Sequence, residues 1–304
     1  MKRLFISTAT LLIALTGVSQ QLQTSSMYEM QSLLHNAATA GLFQDDLIGA
    51  SYRSQWTGIS GSPRTALVFG SYNLKKENVG IGGYLFSDKT GPTSRTGLSA
   101  SFAKHLKMKD GAVLSVGIEA RGLQFGIDRA KLSATLGSDP ALGNADNRFK
   151  FDAGFGVAYQ KNKLRLGASV SQLVQSKLGF YNGTMTLSEE ARLYRHYYFH
   201  GSYSWSPDGN TEITPSFLVI YLPNAPTEVQ GGVRVEHKEI FWWGLAFRSR
   251  QSAILSAGVN LQKRFSLGYS FDIYRTPLSL FDAGSRFQRP RADASLAVEE
   301  IIYH

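Results

Sequence analysis

The sequence predicts an all-β chain: a transmembrane antiparallel β-barrel of about fourteen strands. Three observations carry that reading. From Leu47 onward apolar and polar residues alternate with a period of two. The alternating segments run about 10–15 residues, longer than the ~5–6 typical of soluble strands and long enough to cross a bilayer at a tilt. The links between them fall into two classes that themselves alternate, tiny polar turns and longer loops. Short turns at one end and long loops at the other is the rule for outer-membrane barrels, with both termini on the short-turn side.

Composition agrees. The 304 residues include 30 Gly, 14 Tyr and 18 Phe but only 9 Pro and no Cys. Glycine and aromatics without helix signals point to β structure. Absence of cysteine excludes a disulfide scaffold, thiolate metal sites, thiol catalysis and a lipoprotein anchor on cysteine. The net charge is +9, yet no run of five Lys/Arg and no basic helix gathers it, so nucleic acid is not an expected partner.

Residues 1–19 read as a secretory signal. Lys2 and Arg3 form a basic start, Leu4 to Leu15 an apolar core, and Gly17 and Ser19 small residues before a cleavage point at Gln20. The apolar run is too short for the ~20 residues of a spanning helix. Residues 20–46 are expected as a periplasmic leader that either stays extended in the periplasm or folds into a barrel mouth, with a short helix around Ser25 to Leu34 and a turn over Asn36 to Gly41. Residues 47–304 are the barrel.

The expected strands are 47–57, 64–74, 78–88, 94–106, 111–123, 148–160, 163–174, 192–206, 210–222, 226–236, 239–249, 251–262, 264–275 and a weak last one near 294–303. In 112–122, Ala112, Leu114, Val116, Ile118 and Ala120 oppose Ser115, Gly117, Glu119 and Arg121. In 264–273, Phe265, Leu267, Tyr269, Phe271 and Ile273 oppose Ser266, Gly268, Ser270 and Asp272. A water-soluble sandwich gives the same alternation, so the turns carry more weight. After the even strands they are Lys75 to Glu77, Lys107 to Asp110, Lys161-Asn162, Ser206 to Gly209, His237-Lys238 and Lys263. The three long links, 124–147, 175–191 and 276–293, all follow odd strands. Aromatic girdles are expected at both interfaces: Tyr52, Trp56, Tyr221 and Tyr274 at the long-loop rim, and Tyr159, Tyr203, Trp205, Trp242 and Trp243 at the other.

Charged residues on the polar faces should line the lumen: Glu119, Arg121, Asp152, Arg165, Arg234 and Asp272, together with Glu212, Glu228 and Glu236. Their mixed signs predict internal ion pairs that stiffen the barrel, or else a polar cavity for a peptide or solutes. No cofactor is expected. His196 and His200 are four apart, but on a strand that is ~13 Å, too far for one metal. Gly80-Ile81-Gly82-Gly83 opens no helix, so close packing of the strand is a better reading than a phosphate cradle. Asp139, Asn144, Asp146 and Asn147 in the 138–147 loop read as a solvated polar loop rather than a calcium site. No catalytic set stands out, and the chain is not expected to be an enzyme.

At Tyr52-Arg53-Ser54-Gln55-Trp56, followed by Gly58, Gly61 and Pro63, the chain resembles the PorP/SprF family, outer-membrane proteins of the type IX secretion and gliding systems of Bacteroidota. The resemblance extends to Gln31 to Gly41, where Asn36-Ala37-Ala38 stands in for an Asn-Pro-Ala turn without its proline. It continues at Gly268-Tyr269-Ser270-Phe271-Asp272, and Gly284-Ser285-Arg286-Phe287 replaces a Gly-Ser-His-Glu. It implies an integral outer-membrane protein that receives the C-terminal sorting domain of a secreted cargo, often an adhesin, and anchors it or helps export it. Other type IX components and outer-membrane lipid are its implied partners. A passive porin or small-solute transporter is the alternative, and a structural subunit without cargo contact a third reading. In the motif, Tyr52 and Trp56 should face the membrane interface, and Arg53 and Gln55 the lumen. Tyr52, Arg53, Gln55, Trp56, Gly58 and Pro63 are therefore expected to act structurally, with the long loops as the cargo contact.

Overall fold

The structure is a computed structural model that describes residues 25–43, 46–55, 60–128, 131, 147–176, 193–223, 225–249, 252–262, 264–274 and 292–301. Outside these lie the expected signal 1–19, Trp56 and Gly58, most of the three long links, and the 138–147 loop apart from Asn147.

Among the described residues fourteen strands close into one antiparallel barrel. They are β1 (Leu47–Ser54), β2 (Arg64–Leu74), β3 (Val79–Thr90), β4 (Thr93–Lys107), β5 (Val113–Ile127), β6 (Asn147–Lys161), β7 (Leu164–Ser171), β8 (His196–Tyr203), β9 (Thr211–Tyr221), β10 (Glu228–His237), β11 (Phe241–Arg248), β12 (Ser252–Leu261), β13 (Phe265–Tyr274) and β14 (Ala292–Ile301). Each pairs with its sequence neighbours, and β1 pairs with β14 to close the ring, Leu47 opposite Ile301 and Ser54 opposite Ala294. Closure removes every free sheet edge, so all ladder groups find partners without water.

The expected strands recur in order with shifted ends: β5 runs on to Ile127, into the expected 124–147 link, and β3, β4 and β6 also extend past their expected bounds, while others are trimmed where the backbone turns. β7 stops at Ser171, not 174, because Gln172 adopts φ 59°. β8 was expected over 192–206 but spans 196–203, and Trp205 adds only an isolated bridge to Ile213. The short links turn on left-handed residues: Asn78, Gly111, Asn162, Lys238, Glu239 and Gln262 all have positive φ and all lie at one end of the barrel. Tight hairpins favour such residues because their twist matches that of the strands.

The outer wall separates a membrane barrel from a soluble one. Large apolar side chains occupy the outward positions strand after strand: Val68, Leu85, Leu98, Ile118, Phe151, Phe199, Leu245, Phe247 and Leu267, with Leu98 63 % and Phe151 71 % exposed. A continuous apolar belt of this kind has no place in water and is what hydrocarbon requires. Tyr52, Tyr203, Trp205, Tyr221 and Trp243 also face outward near the strand ends, as interfacial rings do. Trp242 departs from the expected girdle. It is buried inside the barrel against Met27, and its indole N–H donates to Ser266 Oγ at 3.3 Å. Gly258 and Gly268 make room for it, since a Cβ on either would come within 2.5–2.6 Å of the indole.

The interior is occupied by part of the 20–46 stretch, which folds back into the barrel rather than staying extended in the periplasm. Residues 25–43 lie inside the barrel as a plug with two 3-10 turns, Ser32–Leu34 and Ala37–Thr39. Met27, Tyr28, Leu33, Leu34, Ala37, Ala38, Ala40 and Phe43 are all buried. Leu34 packs with Leu47, Leu67, Phe69, Tyr84, Phe86, Leu123 and Leu193; Tyr28 packs with Leu218, Ile220 and Leu222. Burying a side chain such as Leu34 contributes about 1.5–3 kcal/mol, which holds the plug against the entropy of a free tail.

Candidate functional site: the plugged lumen

Three sets of side chains fix the plug to the wall. The first is a socket for Asn36 to Gly41. Asn36 caps the second 3-10 turn, its Oδ1 accepting the Ala38 N–H at 2.9 Å. That bond orients the amide, so Nδ2 donates to the Val157 carbonyl at 2.9 Å and faces His200 Nε2 at 3.2 Å. The wall here is glycine. A Cβ on Gly156 would meet Asn36 Oδ1 at 2.0 Å, on Gly117 the Ala38 nitrogen at 2.4 Å, and on Gly80 the Ala40 carbonyl oxygen at 1.8 Å. Gly80 opens the Gly-rich stretch read from sequence as a close-packing site, and it packs against the plug backbone.

The second set lies toward the end from which the long links leave. Arg53 pairs with Asp272 at 2.6 Å and also donates to Ser26 Oγ. Ser26 Oγ donates to Asp272 Oδ1 at 2.7 Å. Arg248 reaches Asp272 at 3.6 Å and Glu228 at 3.4 Å, and donates to Gln230 Oε1 and to the Ser25 carbonyl. Arg248 and Asp272 have no solvent exposure. Strands β1, β10, β11 and β13 thus converge on Ser25 and Ser26 of the plug, while Ala40 and Gly41 lie beside Gly80 and Tyr72 near the short turns.

The third set stiffens the middle. Glu119 Oε1 accepts from Tyr84 at 2.7 Å, Ser99 at 2.5 Å and Arg121 at 3.0 Å. Arg121 also lies 5.6 Å from the centre of the Tyr84 ring. Opposite, Arg234 pairs with Glu236 at 2.7 Å and with Glu29 of the plug at 3.3 Å. Arg165 lies 5.6 Å from the Phe43 ring centre. Asp152 is buried and accepts the backbone N–H groups of Ala153 and Val174.

The structure places Glu119, Arg121, Asp152, Arg165, Arg234 and Asp272 on the lumen side, with Glu119–Arg121, Arg234–Glu236 and Arg53–Asp272 in ion pairs; Glu212 sits at the short-turn rim near Lys163 at 3.8 Å. In the motif, Tyr52 faces out and Arg53 in. With its amide turned so that oxygen faces the guanidinium, Gln55 accepts from Arg53 Nε at 2.9 Å. The Gln55 backbone N–H donates to the buried Pro63 carbonyl at 2.9 Å, which pins the end of the first hairpin. Sequence reasoning missed His200 as a plug contact, beside Asn36 and Phe43. Its place on the inward face of β8 was the available signal. Among the described residues no three His, Asp or Glu side chains lie where they could hold one metal ion.

Outside the spanning strands, burial pushes the Tyr28 phenol up and the His35 imidazole down to about 3, the latter helped by His200 and Arg121. At the short-turn rim, Lys161 beside Asp110 holds that carboxyl below its ordinary value across a 2.7 Å pair.

Comparison with known proteins agrees with this architecture. The family model described as "Type IX secretion system membrane protein PorP/SprF" matches residues 17–286. No curated protein shows significant similarity to the chain. Among solved structures, the CymD monoaromatic hydrocarbon channel superposes with a TM-score of 0.53 at 10% identity, over 95% of this chain and 96% of that one. A TodX monoaromatic hydrocarbon channel mutant gives 0.50 at 9% identity, over 89% and 94%. At such identities the likeness concerns the fold alone.

Proposed function

We propose that this chain, which belongs to the PorP/SprF family of type IX secretion system membrane proteins, binds the C-terminal sorting domain of a specific secreted protein and anchors it at the cell surface or helps its export. The observation that carries the reading is the plug. Residues 25–43 fill the lumen from the Arg53–Asp272 pair down to the short turns. A barrel closed in this way is suited to holding a partner at its mouth rather than to passing solutes. The cargo contact is assigned to the rim and to the links 124–147, 175–191 and 276–293. The signal over 1–19 supplies export, and surface adhesion or gliding is the expected setting.

Deleting residues 178–188 tests the loop assignment. Loss of the cargo from the surface, with the barrel still folded, is the expected result; full retention of the cargo removes that loop from the contact. The alternative, a passive porin or small-solute transporter, requires an open lumen, and the plug stands against it.

A further inference from the structure

The plug is seated among imidazoles that the anchoring role does not use. Asn36 Nδ2 is fixed as a donor because Oδ1 is taken by the Ala38 N–H. His200 Nε2, 3.2 Å away, must therefore accept, which requires a neutral ring with its proton on Nδ1. A second proton on His200 would set an N–H against an NH2 group. The socket offers no room to turn aside: a Cβ on Gly167 would stand 2.3 Å from His200 Nε2 and 2.7 Å from Asn36 Nδ2.

His35 precedes Asn36 and repeats the pattern. Its Nε2 is buried and has no hydrogen-bond partner among the described residues. Its ring lies 5.4 Å from Tyr198, which stacks on His196 at 6.3 Å and 17°. The charged groups around the pair leave no spare anion. From β5 comes Arg121, already held by Glu119. From β7 comes Arg165, and from the plug Glu29, which is paired with Arg234. Tyr28 of the plug is neutral, β9 presents Ser216 and Phe217, and β6 presents the Val157 carbonyl. An imidazolium here would be buried without a counterion, which is strongly disfavoured.

We propose that the plug is held by a proton-sensitive latch: with His35 and His200 neutral, residues 25–43 stay seated, and protonation of the pair drives them off the wall and opens the lumen. The seated state binds fewer protons than the released one, so seating is strongest above the free imidazole value and weakens as pH falls below it. For His35 alone, held at about 3 against 6.5 when free, the seated-to-released ratio falls about 30-fold by pH 5. Between pH 7.5 and 5 exposed carboxylates stay ionised, which separates the histidine effect from general acid damage.

The chain has no cysteine, so a single introduced thiol reports seating. Thr39, 3 % exposed in the plug, becomes Thr39→Cys; a second full-length chain carries Gly209→Cys in the exposed turn as a reference for the pH dependence of thiol chemistry. In vesicles, the ratio of thiosulfonate labelling rates, Cys at 39 over Cys at 209, should rise at least tenfold from pH 7.5 to 5. Adding His35→Gln and His200→Gln, which keep an acceptor but cannot titrate, should flatten that rise, with unchanged heat-modifiable mobility confirming a folded barrel. A ratio independent of pH in the parent overturns the latch, as does a rise that persists undiminished in the glutamine variant.

Discussion

Asp272→Ala is the sharpest test of how the plug is fixed. The carboxylate accepts from Arg53 at 2.6 Å and from Ser26 at 2.7 Å, and lies 3.6 Å from Arg248, with no solvent access. Its removal leaves two buried guanidinium groups facing one another across the space it filled. Breaking a buried pair by deleting one partner costs about 3–5 kcal/mol. Arg248 keeps Glu228 and Gln230, so most of that loss falls on Arg53 and on the plug end at Ser26. Urea unfolding in lipid vesicles, followed by tryptophan emission and heat-modifiable mobility, measures it. In Asp272→Ala/Arg53→Met the stranded charge is gone, and the double variant should recover about 2 kcal/mol relative to the sum of the singles. A loss under ~1 kcal/mol for Asp272→Ala, or single effects that add within ~0.5 kcal/mol, would refute the role given to the Arg53–Asp272–Ser26 cluster in fixing the plug.

Other substitutions probe separate parts of the account. Gly117→Leu puts side-chain atoms where the Ala38 nitrogen lies 2.4 Å from a Cβ; it should unseat the plug and raise planar-bilayer conductance from a silent baseline at pH 7.5. Leu85→Arg, on the outward face midway along β3, should cost about 2–4 kcal/mol in vesicles if that face meets lipid; in a water-facing wall the unfolding midpoint would hardly move. Tyr84→Phe removes one of the bonds to Glu119 and should cost about 1–1.5 kcal/mol. Asp110→Asn, at an exposed rim pair with Lys161, should leave the unfolding midpoint unchanged at neutral pH.

The strands were legible because two independent signals agreed along most of the chain. In β13, Phe265, Leu267 and Tyr269 face out while Ser266, Ser270 and Asp272 are buried, as alternation requires. Lys- and Asn-rich turns placed the short-turn end, and the left-handed residues in them explain why those links are so short. The plug was not legible for a physical reason. β2 and β3 are apolar on both faces: Leu67, Phe69, Tyr84 and Phe86 point in while Val68 and Leu85 point out. An apolar lumen face signals that something covers it but not what, and the covering residue, Leu34, lies in a stretch with no period of its own. Trp242 was misplaced for a related cause. In Phe241-Trp242-Trp243 only parity separates a membrane-facing ring from a lumen-facing one, and the space for it depends on Gly258 and Gly268 across the sheet. The motif at Tyr52 to Gln55 was readable as alternation, but its buried partner Asp272 is 219 residues away and could be named only as a lumen charge.

The anchoring role is tested most directly by isolating the full-length protein from its native outer membrane in mild detergent and identifying what elutes with it. The account predicts a large secreted protein in near-stoichiometric amount, released when residues 178–188 are deleted. A clean monomer without a partner, conducting freely at neutral pH, would contradict it.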